Sequence, residues 1–412
     1  MHFRFPYFII LAFACVFLCN CVWETADDIE NYLPLDDSSY PYANIPRFVI
    51  ETEHFAQILD KETKINANLQ IYGPKEPISG LMELTIKGRG NSSFEMTKFG
   101  YKLKFIDKQS LFGMPKSREW DLVPNFRDKS HLRNHITYQL ASILEDEYVP
   151  RNHFVELYIN REYKGLFLLV EHIKVAKNRV NIPENDSSFL FEKTSPTSTD
   201  GTMLTSSMGY IFKFCSPKEP SQESASLLEN HINDFERFLE TEDIYKLDSI
   251  RSWIDVEDFV RYYWIQEFSK NLDGGFHRSI FFTWKKGDVI KMGPVWDFDL
   301  GYGLNSYHKI PVEGWHVRIF GWHRYLFKNE DYRELIRNYW IENHRFFEDV
   351  LDSIESAKTR IAEAANNDFK RWRILQNDTD WPFIESYDSY EEAVDTLKSW
   401  IERRIQWIDE NL

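Results

Sequence analysis

Phe154-Val155-Glu156-Leu157-Tyr158-Ile159 runs into the polar turn Asn160-Arg161-Glu162, and Gly165-Leu166-Phe167-Leu168-Leu169-Val170 follows; this is a β-hairpin. Toward the N-terminus, residues 47–125 are also β-rich. Leu81-Met82-Glu83-Leu84-Thr85-Ile86-Lys87 alternates apolar and polar residues, and so does Tyr101-Lys102-Leu103-Lys104-Phe105. Between them, Gly88-Arg89-Gly90-Asn91-Ser92-Ser93 is turn chemistry. A helix is predicted at about 130–145, with Ser130 or Asp128 as its cap and Leu132, Ile136, Leu140 and Ile143 on one face.

Toward the C-terminus, Ser187–Ser207 is rich in Ser, Thr, Pro, Asp and Gly and reads as a surface insertion. Helical patterns resume at about 222–240 and 255–271. A second hairpin pairs Ile280–Trp284 with Val289–Met292 through Lys286-Gly287-Asp288, and the C-terminal part is mostly amphipathic helix, including Tyr390–Asn411. Strands come early and helices late, so the fold class is α+β. No internal repeat of solenoid or propeller period is visible.

Composition narrows the function. Hydrophobic residues make up 43% and aromatics 16% of 412, enough for a large core and too many for global disorder. The charge of −16 argues against a nucleic-acid partner, which calls for a basic surface. The N-terminus reads as a targeting device. A short basic start, Met1-His2-Phe3-Arg4, precedes the apolar run Phe5–Leu18, which has signal-peptide length and is short for a membrane span. The expected organisation is a signal peptide at 1–20, an acidic polar tether at 21–44 and one domain at 45–412. An uncleaved N-terminal anchor is the alternative.

Of four cysteines, Cys15, Cys19 and Cys21 lie in or just after the apolar run and only Cys215 lies in the domain, so no disulfide framework is expected. Leu18-Cys19-Asn20-Cys21 resembles a loose bacterial lipobox, in which Cys21 fits best and Cys19 second. The expected location is therefore outside the cytoplasm, at the cell surface or in the periplasm. Membrane contact is expected only through a lipidated N-terminus.

Three constellations can carry chemistry. In Pro294-Val295-Trp296-Asp297-Phe298-Asp299-Leu300-Gly301, two carboxylates sit two residues apart between a strand and a glycine turn. Carboxylate oxygens are the hard ligands Mg²⁺ prefers, although a solvated turn gives the same pattern. In Lys270-Asn271-Leu272-Asp273-Gly274-Gly275, an acid at a helix-to-strand loop can accept a hydroxyl proton, while a plain Asp-Gly turn is the bland reading. Lys87, Arg89, Lys98, Lys102 and Lys104 surround Gly88-Arg89-Gly90 and can meet phosphates, or can be the wet face of a strand. His-Glu-x-x-His, a zinc-type Cys set and Gly-x-Ser-x-Gly are all absent. The many Trp and Tyr residues read as core before they read as a sugar-binding platform.

Taken in order, these segments resemble the CotH kinase family, named for a spore-coat protein. Lys87–Ser93 is similar to its "RGRGNSS" turn, Lys98–Phe105 to its "KKxYKLKF" strand and Leu132-Arg133-Asn134-His135 to "LLRNxLAYDLA". Phe154–Glu171 matches "FVELYLNGEYWGLYLLVE" nearly residue for residue, and Asn271-Leu272-Asp273 and Trp296-Asp297-Phe298-Asp299 match "NxD" and "PWDFD". The resemblance implies an atypical protein-kinase-like fold binding ATP with Mg²⁺ or Mn²⁺, and phosphoryl transfer to Ser or Thr of an exported or surface protein. It makes Asp273 the catalytic acid and Asp297, with Asp299 nearby, the metal ligands. Lys98 or Lys102, helped by Arg89, then contacts phosphates, and Glu171 lines the nucleotide cleft. Ser279 stands where the family has an Asn, a second metal ligand. That departure opens a rival of another class, a catalytically inactive surface protein using the same cleft for adhesion or scaffolding. Ser279 can also simply start the strand Ile280–Trp284 and point away.

Overall fold

Successive side chains of a strand face opposite ways, so the alternating runs on either side of the turn at 88–93 can line one shared interior if their sheet closes. It closes. The computed structural model describes residue 35 and residues 37–195, 201–305 and 308–412; the leader, Cys15, Cys19 and Cys21 lie outside the described residues. Seven strands form a barrel in the order β1 (Arg47–Thr52), β2 (Ile65–Tyr72), β3 (Met82–Arg89), β4 (Gly100–Gln109), β5 (Ser117–Val123), β7 (Glu162–Glu171) and β6 (Asn152–Ile159). Neighbours are antiparallel except at the seam, where β6 runs parallel to β1. Leu84, Ile86, Leu103, Trp120, Leu157 and Leu169 belong to the apolar filling. The intervening residues Lys87, Arg89, Lys102, Glu119 and Asp121 therefore face out.

The opening hairpin is β6–β7. Its two-residue turn needs left-handed backbone at both positions, and Asn160 (φ 52°) and Arg161 (φ 66°) supply it. A second sheet has the order β12 (Lys291–Met292), β11 (Ile280–Lys285), β8 (Ser188–Thr194), β10 (Ile211–Ser216), β9 (Met203–Thr205). This corrects the reading of Ser187–Ser207 as an insertion. Phe189-Leu190-Phe191 is buried at the centre of that sheet, and a short apolar run between polar residues is how a two-sided buried strand looks.

The helices among the described residues are α1 (Arg133–Ile143), α2 (Gln222–Phe238), α3 (Leu247–Arg251), α4 (Val256–Ser269), α5 (His323–Leu326), α6 (Glu330–Glu348), α7 (Val350–Trp372) and α8 (Tyr390–Asn411). None is long and apolar enough to cross a membrane. In α1, Leu132, Ile136 and Leu140 are buried as expected, while Ile143 is 40% exposed. Asp128 serves the helix start from four residues before the N-cap, accepting from the Arg133 N–H at 2.9 Å.

Helix α7 crosses the barrel and is pinned to it by a buried ion pair. Lys98 Nζ donates to Asp368 Oδ1 at 2.7 Å, and Asp368 Oδ1 also accepts from the Leu166 N–H at 2.8 Å. The end of the expected tether packs on the same face: Asp37 pairs with Arg47 at 2.8 Å and Tyr40 stacks on Tyr163 with centroids 4.2 Å apart.

Candidate active site

A cleft of about 890 Å³ separates the outer barrel face from the second sheet and the loops that follow α4 and β12. Its barrel wall is charged because of strand register. Lys87 and Lys102 are direct partners, as are Lys102 and Asp121. Two lysines side by side repel, so this row persists only with acids among it. Lys102 Nζ lies 2.8 Å from Glu119 Oε2, and Arg89 Nε lies 3.2 Å from Asp121 Oδ1.

His172 links the two pairs, with Nδ1 2.9 Å from Asp121 Oδ2 and Nε2 2.9 Å from Lys102 Nζ. An ammonium can only donate, so Nε2 accepts and the proton sits on Nδ1. Burial alone would raise the Asp121 carboxyl, but Arg89 and His172 outweigh it and hold the group well below the usual carboxylate range. Gly88, on β3, lets the turn come close: a Cβ there would lie 2.2 Å from the Phe94 ring and 2.8 Å from the Asp60 carbonyl.

The opposite wall carries the acids. Helix α4 ends at Lys270 in left-handed backbone (φ 45°), and the chain turns through Asn271, Leu272 and Asp273. Gly274 has no room for a side chain, since a Cβ would lie 2.1 Å from Gln266 Oε1. After β12 the chain reaches Asp297, itself left-handed (φ 67°).

Three contacts hold this acid loop. Ser279 Oγ donates to Asp297 Oδ2 at 3.0 Å, Asn271 Nδ2 to the Asp297 carbonyl at 3.2 Å, and the Phe298 N–H to Asn134 Oδ1 at 2.8 Å. Arg133 completes the hold, donating to the Gly301 and Tyr302 carbonyls at 3.0 and 3.3 Å. The Arg-Asn pair at the start of α1 thus holds the acid loop from 164 to 169 residues away in sequence.

Burial and the neighbouring Asp297 carboxylate push Asp273 up to about 7 and Asp299 up to about 8. Crowded acids of this kind suit a cation. Asn271 Oδ1 is buried there without a hydrogen-bond partner, a further oxygen suited to a cation. Among the described residues, no group of three or more His, Cys, Asp or Glu side chains is arranged to hold a metal ion by itself.

Of the residues singled out from sequence, Arg89, Lys102, Asp273, Ser279, Asp297 and Asp299 all line this one cleft. Ser279 faces Asp297 and does not point away. Lys98 and Glu171 are corrections. Lys98 is buried elsewhere, its ammonium occupied by Asp368 and by the Pro124 and Leu166 carbonyls at 2.9 and 2.6 Å. Glu171 pairs with Arg151 and Arg179 at 3.1 and 3.3 Å and accepts from the Tyr148 hydroxyl. It is a buried structural acid, not a cleft residue. Sequence reasoning missed Asp121, His172 and Arg127. Asp121 was legible in the alternation of Ser117-Arg118-Glu119-Trp120-Asp121-Leu122, whereas nothing local marks the other two.

The profile of the family described as CotH kinase protein matches residues 86–408, which takes in both walls of the cleft. The chain belongs to the CotH kinase family. No curated protein matches the chain. Family membership suggests a kinase-like function.

Proposed function

We propose that this CotH-family protein is an atypical protein kinase that moves the γ-phosphate of ATP to Ser or Thr hydroxyls of exported or surface proteins. One observation carries the reading: a row of cations on the barrel and three carboxylates on the helical side meet across a single cleft. Arg89 and Lys102 would hold phosphates. Asp297 and Asp299 would hold Mg²⁺ or Mn²⁺, with the rest of the coordination from nucleotide and water, as Mg²⁺ sites on phosphates commonly have it. The ion would supply neutralising charge to the triphosphate. Asp273, with a pKa near 7, is suited to take the acceptor hydroxyl's proton. The leader at 1–20 and Cys21, or Cys19, would export the chain and tether it by lipid, where it meets protein substrate without nucleic acid.

Ser279 favours a second reading. Its hydroxyl already bonds Asp297 and stands where an amide ligand is expected, which suits a catalytically inactive surface protein used for adhesion or scaffolding.

Mass spectrometry of the purified protein after incubation with ATP and Mg²⁺ or Mn²⁺ separates the two. Mass gains in steps of one phosphate are expected. An unchanged mass with both metals and with a panel of surface-protein extracts would favour the inactive reading.

A further inference from the structure

The bonding that holds the two walls leaves a buried cation of the cleft largely unused. Arg127 leaves the connection between β5 and α1 and lines the cleft together with Ser92, Asp273 and Asp299. It is only 8% exposed, yet its Nε has no hydrogen-bond partner among the described residues. Among the described residues its one side-chain hydrogen bond is a long 3.5 Å contact from Nη2 to Ser92 Oγ. A buried guanidinium is costly unless an anion answers it, and its planar fork suits carboxylate or phosphate oxygens. Asp273 and Asp299 both feel its charge, and at Asp273 a nearer cation is Arg278, whose Nε lies 3.7 Å from Oδ1.

The position is rigid from both sides. Asn125, two residues earlier, accepts from Asn134 Nδ2 at 3.1 Å, and Asn134 also holds the acid loop. Phe126 packs edge-on against Phe383 with centroids 5.2 Å apart. Beside Phe383, the Trp381 ring lies under the Arg127 guanidinium at 5.5 Å. The connection between α7 and α8 therefore reaches back to the cleft and braces this one side chain.

We propose that Arg127 binds the terminal phosphate of a nucleoside triphosphate held in the cleft, and that Trp381 positions it there; this rests on the kinase reading above. The group to be transferred has to lie between the phosphate-binding turn and the acid that receives the acceptor's proton. Arg127 lines the cleft alongside both places, in a long contact with Ser92 of the turn and near enough to Asp273 for its charge to be felt there. The α- and β-phosphates fall to the barrel wall, where Arg89 and Lys102 stand. Arg127 would thus let the site distinguish a triphosphate from a diphosphate.

Calorimetric titration of the full-length protein with ADP and with a non-hydrolysable ATP analogue, both with Mn²⁺, tests this. Arg127→Gln should lose roughly tenfold or more in affinity for the ATP analogue, the worth of one charge-assisted hydrogen bond, and stay within about twofold for ADP. Trp381→Ala should show the same selective loss at smaller size. Arg127→Lys, which keeps the charge without the fork, should fall between and serves if Arg127→Gln melts early. Affinities for both nucleotides that stay unchanged, or that fall in equal proportion, in a variant melting like wild type would overturn the role of Arg127. Wild type that binds neither nucleotide would instead overturn the kinase reading, and the proposal with it.

Discussion

Asp299 is buried beside another carboxylate, and the folded protein therefore keeps a proton on it that the unfolded chain has already released. Its pKa is raised to about 8 and that of Asp273 to about 7, so each costs stability as pH climbs from the ordinary carboxylate range toward those values. Buried histidines pull the other way only at lower pH: His131 is depressed to about 4 and His323 to about 3, so both are neutral in either state well above 6.5. Between pH 6.5 and 7.5, where Asp146, also raised to about 8, acts in the same direction and Lys129, Lys193 and Lys270, lowered to about 8, have not yet begun to oppose it, the metal-free protein should thus lose stability as pH rises. Asp299→Asn should lose less, the slopes differing by on the order of 1 kcal/mol per pH unit at most. Thermal melts across that range check this; equal slopes would mean that Asp299 does not hold its proton. Saturating Mn²⁺ should erase the difference by favouring the charged carboxylate. Asp273, Asp297, Asp299, Arg89 and Lys102 were all legible as candidates because their types and spacings are local. Which lysine faces the cleft was not, because Lys98 is claimed by Asp368, 270 residues away in the chain.

Among the elements, the start of α1 works differently from the amphipathic helix its sequence describes. The spacing of Leu132, Ile136 and Leu140 predicts its buried face, but gives no sign that Arg133 and Asn134 hold the acid loop. Asn134→Ala should leave the Phe298 N–H buried without its acceptor and the Asn125 amide without its donor. The expected cost is roughly 1–3 kcal/mol by thermal or denaturant unfolding, with a weaker affinity for Mn²⁺–nucleotide in the folded variant. A variant with normal stability and normal nucleotide affinity would remove Asn134 from the support of the site. Strand β8 shows the opposite limit of local reading. Phe189-Leu190-Phe191 is too short a run to outweigh the Ser and Asp residues around it, and only its pairing with β10 and β11 makes it a central strand.

For the whole molecule, the coarse order of strands early and helices late could be read, but strands β8 to β10 and the closure of the barrel could not. The parallel seam between β1 and β6 joins segments about a hundred residues apart, and no local pattern records such a pairing. Yet closure is what turns Lys87, Arg89 and Lys102 outward as one row toward the acids. The central claim is that nucleotide is held jointly, by cations from the barrel and by metal-binding acids from the helical side. Its most direct test is calorimetric titration with ATP in Mg²⁺ or Mn²⁺ of wild type, Lys102→Met and Asp297→Ala, each shown to be folded by its thermal melt. The expected result is metal-dependent binding by wild type that weakens at least tenfold in Lys102→Met and is lost in Asp297→Ala. Unchanged affinity in both variants, or binding by wild type that persists undiminished in EDTA, would contradict the account.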